Sequence, residues 1–345
     1  MADTSLTVIS QTLSTWSLSS SKEPDFGTSI SLSSSAEDPK TETNFSSEAK
    51  NFCEKAALSI QEMSQLLLMN EKKDIQHKIE SPKISDTPKI EKKTCEVVMH
   101  SINSFGTFKG RFLPPTKKDR YNNVLVYRQH RCRLTKGKYI NASPYLGSMP
   151  IIFTQGPLKN TMRAFAEMLC MYNVTRVVTL TNPIESNSEK SVDYWQTNVT
   201  STESNFSFQV DTNSLQTIEN STNQAVTFRK ISVQHGSQKR IVEHIWIQDW
   251  KDGDVIKHET LLKTCTFVRK NFSGVLAVHC SAGIGRSGVF GAVLVGMDYI
   301  DTNATFDIPS IILSLRQARA GMVQTIAQYQ LIHETLSLYK SQKKE

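Results

Sequence analysis

The chain has 345 residues, 38% of them hydrophobic, which is enough for one or two domains with a sizeable core. Its net charge of +7 is unevenly placed: residues 1–50 sum to −4 and 51–95 to +1, so 96–345 carry +10, a balance suited to nucleic acid, a membrane surface or a phosphorylated substrate. The sequence has no zinc-finger spacing, aromatic RNA-binding motif or dense basic stripe, no CxxC pair or Cys/His cluster among six scattered cysteines, and no apolar run long enough to span a membrane. Nucleic acid, a structural metal and integral membrane association are therefore set aside, and a reducing, cytoplasmic compartment is expected.

Residues 1–50 hold 14 Ser and 7 Thr among few apolar groups, so they bury too little surface to offset their ordering entropy and are predicted to be a disordered tail. Lysine-poor tails of this kind also resemble those of exported bacterial effectors, which would place the protein in a host cytoplasm. Residues 51–94 follow as an amphipathic helix and a linker. Phe52, Ala56, Ile60, Met63 and Leu67 form one helical face, which docks on its own domain or binds a partner or chaperone at 50–80. "SPKISDTPKIEKK" reads as a Pro/Lys-rich linker.

From about 95 to 340 the pattern is that of an α/β domain of the α+β type, a central twisted mixed sheet flanked by helices. "MRAFAEMLCMYNV" reads as a helix and "TRVVTLT" as a buried strand. "FSFQV", "VTFRKISVQ" and "RIVEHIWIQDW" alternate apolar with polar and read as a meander. "GVLAVHC" is a short buried strand, and "SGVFGAVLVGMDYI", "FDIPSIILSLRQA" and "AQYQLIHETLSLYK" are helices.

Between the last strand and the first of those three helices stands "HCSAGIGRSG". A strand end, a glycine-bearing loop and a helix N-terminus make an anion cradle, with Gly283 and Gly285 letting the backbone curl so that N–H groups point inward. Arg286 at its end can grip two phosphate oxygens bidentately. Cys280 would ionise easily in that field, and the thiolate is the nucleophilic form. The Cys/Arg spacing alone means little, because Cys170 and Arg176 repeat it without glycines or a cradle and are assigned to packing.

"HCSAGIGRSG" resembles the active-site loop of the phosphotyrosine-specific protein tyrosine phosphatases, and the resemblance extends in family order over residues 95–340. "KKDRYNNV" is similar to their phosphotyrosine-recognition loop, "YINASPY" and "FTQGPLKNT" to framework motifs, and "DYWQ" to the segment after their mobile acidic loop. "HIWIQDWKDGDV" resembles the general-acid loop and "GMVQTIAQYQ" the glutamine loop. The resemblance implies hydrolysis of protein phosphotyrosine through a cysteinyl-phosphate, with no cofactor and no metal. In that scheme Cys280 attacks phosphorus, while Arg286 and the amides of Ser281, Ala282, Gly283, Ile284 and Gly285 hold its oxygens. Asp252 is the general acid and then base, Ser287 donates to the thiolate, and His279 orients the loop and helps hold the thiolate. Gln324 and Gln328 position water, Tyr121 walls a deep slot for a phenyl phosphate, and Asn123 contacts the peptide. Glu185 buttresses Arg286, with Lys190, Trp250 and Arg319 in support. The loop carries no lysine, which argues against polyanionic lipid substrates.

Departures from the family pattern include Lys251, which stands where proline usually precedes the acid and so leaves the loop more freedom. Asn123 replaces a usual aspartate, so peptide affinity should be weaker with chemistry retained. Asp119 and Ala166 are also unusual. The competing expectation is a weakly active or inactive phosphotyrosine-binding module of the same fold.

Overall fold

The computed structural model of the protein describes residues 92–104, 112–221 and 224–344. The Ser/Thr-rich tail, the amphipathic helix and most of the linker expected from sequence lie outside the described residues. The linker's end does not: Lys92–Ser104 is helix α1, because Cys95, Val98, Met99 and Ile102 form a buried stripe that draws Lys92 and Lys93 into its first turn.

Eight strands form one mixed sheet in the order β1-β2-β10-β3-β9-β8-β7-β6. Its centre is parallel: β2 (Pro150–Thr154), β10 (Val275–His279), β3 (Val174–Thr179) and β9 (Gln238–Ile247) run side by side. β2 and β10 are buried at every residue, as strands covered on both faces must be. Antiparallel strands extend the sheet at both edges, β1 (Ala142–Leu146) on one side and β8 (Gln224–His235), β7 (Phe206–Ser221) and β6 (Val199–Ser201) on the other. The short hairpin β4 (Ile184–Glu185) and β5 (Ser188–Glu189) stands apart from this sheet.

Helix α2 (Met162–Met171) packs on β3, β7, β8 and β9. The apolar helix α4 (Gly285–Asp301) lies on β10 and is surrounded by α3 (His258–Arg269), α5 (Ile308–Ala318) and α6 (Ile326–Gln342). A helix buried at nearly every turn needs an apolar sequence all round, which "SGVFGAVLVGM" provides.

Several elements had no counterpart in the sequence reading, among them α1, β1 and β2, and two of the differences have a plain cause. Helix α3 hides its stripe of Leu261, Leu262, Cys265 and Val268 among polar residues. Strand β7 continues well beyond "FSFQV", through Asp211–Ser221, as an arm paired with β8 across two register shifts. That arm is mostly exposed, so it carries no alternating apolar signal.

Candidate active site

Cys280 follows the last residue of β10 and is 2% exposed. Its Sγ accepts a hydrogen bond from the Gly283 amide at 3.2 Å. Gly283 has φ +73°, and a Cβ there would lie 2.1 Å from the Thr154 carbonyl oxygen, so only glycine fits. Gly285 plays a different part from the one expected. It has no positive φ and opens α4, and its missing side chain makes room for Gln324, whose Oε1 would sit 2.5 Å from a Cβ.

The loop carbonyls are turned outward, one by one. Cys280 O accepts from His279 Nδ1 at 3.1 Å and Ser281 O from the Gly156 amide at 2.8 Å. Arg319 donates to both Ala282 O and Gly283 O at 2.9 Å, and Ile284 O accepts from the amides of Gly288 and Val323. With every carbonyl from 280 to 284 tied on the outside, the loop amides are free to line the inside, a setting suited to an anion at the N-terminus of α4. Arg319 is itself anchored to Asn141 at 2.7 Å, and burial lowers its pKa to about 10, offset in part by Tyr139 and Cys280, so it stays charged at neutral pH.

Arg286 is wholly buried in the first turn of α4. Its Nη1 donates to Glu185 Oε1 at 2.6 Å and to the Trp250 carbonyl, while Nη2 lies 3.4 Å from Asp252 Oδ1. Burial opposes its charge, but Cys280, Glu185 and Asp252 together raise its pKa above the usual value. Nε and Nη2 have no hydrogen-bond partner, which leaves two parallel donors for a bidentate oxyanion. Glu185 is held in turn against the arginine by the Thr181 hydroxyl at 2.7 Å and the Asn182 amide at 3.2 Å.

Asp252 reaches the site from the loop after β9. Its side chain is 51% exposed and its Oδ2 lies 3.5 Å from Lys190 Nζ. The loop is held at several points: Trp250 is fully buried, its indole N–H donates to Asp254 O at 2.9 Å, and its carbonyl is held by Arg286. At the loop's entry Asp249 adopts φ +56°, with its carboxylate accepting from the Asn182 side chain at 2.8 Å and its amide donating back at 3.2 Å. Lys251 is exposed and does not disturb these ties.

Tyr121 stands over the loop with its hydroxyl 2.8 Å from Ser281 Oγ, and Asn123 is exposed beside it. Asp119, unexplained from sequence, ties this segment together: it accepts from the Thr116 amide at 2.7 Å, from Asn141 Nδ2 at 2.7 Å and from the Tyr139 hydroxyl. Ala166 is buried in α2. Gln324 is exposed and reaches the front of Gly285, whereas Gln328 is buried and uses its Oε1 to cap α6 through the amides of Gln324 and Thr325. Its Nε2 remains beside Gly285.

Two expected roles need correction. Ser287 Oγ is buried and has no hydrogen-bond partner, so it does not donate to Cys280; Sγ is occupied by the Gly283 amide instead. His279 touches the Cys280 carbonyl and not its sulfur, because the ring lies beneath the loop among Thr179, Tyr194 and Phe165. Burial lowers its pKa to about 4, so the imidazole is neutral and positions backbone instead of stabilising a charge.

The sequence reading also missed residues that hold these parts together. Arg120 donates to Gly156 O and Pro157 O at 3.0 Å and to Glu189 O at 2.7 Å, fastening the Tyr121 segment to β5. Gln155 bridges the Arg120 amide at 2.9 Å and Lys118 O at 2.8 Å. Asn141, Asn182 and Thr179 belong with them. Their partners are far away in sequence, and no local spacing announces such contacts. Arg120 alone had a signal, its place beside Tyr121 in a basic run.

Among the described residues, no group of His, Cys, Asp and Glu is arranged to hold a metal. Residues 115–337 match the family described as protein-tyrosine phosphatase. The chain is 35% identical over 246 residues to human tyrosine-protein phosphatase non-receptor type 7, and 34% over 242 residues to the mouse protein of that name. Each alignment covers 65% of this chain and 64% of the relative, so the chain spans somewhat less than two thirds of those proteins. Rat receptor-type tyrosine-protein phosphatase zeta is 33% identical over 241 residues, which is 64% of this chain but 10% of that protein.

Proposed function

We propose, from the premise that this chain belongs to the protein-tyrosine phosphatase family, that it hydrolyses phosphotyrosine on proteins through a cysteinyl-phosphate intermediate. The single observation that carries this reading is the convergence on Arg286: its guanidinium joins the Cys280 loop, Glu185 and Asp252 of the acid loop in one contact set.

Cys280 Sγ attacks phosphorus in line with the tyrosyl oxygen. The P–O bond breaks as the S–P bond forms, and Asp252 delivers a proton to the departing phenolate. The loop amides and the two free donors of Arg286 carry the charge on the equatorial oxygens, where preorganised donors act most strongly. Asp252, now a carboxylate, takes a proton from water placed by Gln324, and that water releases inorganic phosphate from sulfur. Tyr121, tied to Ser281, walls the slot and makes it deep enough to favour an aryl phosphate over phosphoserine.

No helix among the described residues is long and apolar enough to cross a membrane, and the five cysteines among them are free and buried. A cytoplasmic enzyme acting on phosphotyrosine signalling proteins fits both facts. A weak binding module of the same fold is the second reading, favoured by the exposed Lys251 where a rigid proline would steady the acid loop. The two are separated by turnover of a phosphotyrosyl peptide and its phosphoseryl counterpart in EDTA. Hydrolysis of the tyrosyl peptide alone supports the enzyme; tight binding of that peptide without phosphate release supports the module.

A further inference from the structure

Behind the nucleophile loop, three parallel strands bring together four polar side chains that are all 0% exposed: Thr179 at the end of β3, His244 on β9, His279 at the end of β10, and Tyr194. Thr179 Oγ1 lies 2.8 Å from His244 Nε2, 2.8 Å from His279 Nε2 and 3.3 Å from the Tyr194 hydroxyl. The Tyr194 hydroxyl lies 2.7 Å from His279 Nε2. Aromatic rings close the cluster, with Trp195 stacked on His244 at 5.6 Å and Phe165 edge-on to His279 at 6.1 Å.

Counting protons gives this cluster a direction. Both imidazoles are neutral, since burial holds His279 at about 4 and His244 well below the usual histidine value. The Cys280 carbonyl can only accept, so His279 carries its proton on Nδ1 and its Nε2 must accept. Tyr194 is the nearest donor to that lone pair. The Thr179 hydroxyl, 2.8 Å away, is the second donor, and Thr179 Oγ1 accepts from His244 Nε2–H, which leaves its own proton for His279. The unpartnered atom, His244 Nδ1, is left as an acceptor and not as a costlier orphaned N–H.

We infer that Thr179 and His244 are positioning residues of the nucleophile loop: alongside Tyr194 they fix the His279 tautomer that turns the Cys280 carbonyl away from the phosphate. The inference rests on the phosphatase reading of that loop for its effect on turnover, but not for the tautomer itself. Without the Thr179 hydroxyl, His279 Nε2 loses one of its two donors and His244 Nε2–H loses its acceptor. His279 can then exchange its proton between nitrogens, and a Cys280 carbonyl without its donor is free to swing its negative end toward the substrate.

The test compares the wild type with Thr179→Val, which keeps the shape but loses the hydroxyl, and Thr179→Ser, which restores it. Two quantities are read: kcat and KM for phenyl phosphate, and the imidazole nitrogen resonances of His279. The valine variant is expected to lose about 10-fold in kcat, equivalent to ~1.4 kcal/mol, with KM little changed and His279 shifting to mixed tautomers. The serine variant returns both to wild type. A valine variant with unchanged kcat and a single Nδ1–H tautomer overturns the inference, as does failure of serine to restore either. If the tautomer responds while the wild type hydrolyses no aryl phosphate, the relay stands and the phosphatase reading falls.

Discussion

Two stretches of this molecule share a cysteine six residues before an arginine, and they end in opposite ways. Cys170 closes helix α2 and Arg176 lies on β3, so the chain between them reverses through Asn173 at φ +53° and sends the two side chains apart. Arg176 is spent on Glu243, with Nε to Oε2 at 2.7 Å, on the Val268 carbonyl, and on the Phe272 ring 5.4 Å away. Cys170 is surrounded by carbonyl oxygens, with Val233 O and Gln238 O at 4.0 Å, and burial pushes its thiol above the usual value despite Arg240 nearby. Around Cys280 the same spacing encloses a loop whose carbonyls all face out, and Arg286 keeps two donors unspent. What separates a packing arginine from a phosphate-binding one is the hydrogen bonding that surrounding residues have already satisfied.

The sharpest way to break this contrast is to swap the sulfurs. Cys280→Ser should lower kcat for phosphotyrosyl peptide on the order of 10⁴-fold or more, while Cys170→Ser stays within about 2-fold. A comparable loss in both would dissolve the distinction.

Next in size is the acid. Asp252→Ala should cost about 10²–10³-fold with phenyl phosphate, and far less with a dinitrophenyl phosphate, whose leaving group needs no proton. Equal losses on both substrates would show that Asp252 acts through structure.

The partners of the two arginines give a third comparison. Glu185→Ala leaves Arg286 buried without its carboxylate and should destabilise the fold by about 3 kcal/mol, with a matching loss of kcat. Glu243→Ala opens a pair whose carboxylate is 36% exposed, so the cost should be about 1 kcal/mol with kcat unchanged, read by denaturant midpoints and steady-state rates.

The smallest effects concern pH. His279 is held from 6.5 to about 4 by burial, so the folded state stays neutral where the unfolded chain takes up a proton. Its contribution is complete above pH 6.5 and is lost as pH falls toward 4. Cys170 behaves in the opposite sense: its raised thiol contributes fully below the ordinary value of 9.0 and is lost as pH rises past it. Cys170→Ala should therefore make the alkaline limb of a stability profile shallower and leave the acid limb unchanged.

Much of this contrast was legible in the chain itself. The apolar run before Cys280, its glycines and the helix after it mark a cradle, and the absence of all three around Cys170 marks packing. Glu185, Arg319, Tyr121 and the two glutamines, singled out by the resemblance, all lie against the Cys280 loop. Local pattern did not reveal the hidden stripe of α3, the exposed arm of β7, or the different tasks of Gly283 and Gly285. Nor did it show that His279 faces a carbonyl and that Ser287 has no partner. These depend on which long-range groups arrive first at each donor and acceptor, as with Asn182 at Asp249 or Thr179 at the two histidines. Lys251, the departure that put the acid loop in question, is offset by a tie before it, from Asn182 to Asp249, and by one that spans it, from the Trp250 indole to the Asp254 carbonyl.

The central claim is that phosphate passes through Cys280. Rapid acid quench of the Gln324→Ala variant during turnover, followed by mass mapping of the peptides, tests it directly because slower hydrolysis lets the intermediate accumulate. The predicted result is one phosphate's mass on the peptide containing Cys280 and none on that containing Cys170. Phosphate on any other residue, or product release with Cys280 unmodified throughout, would contradict it.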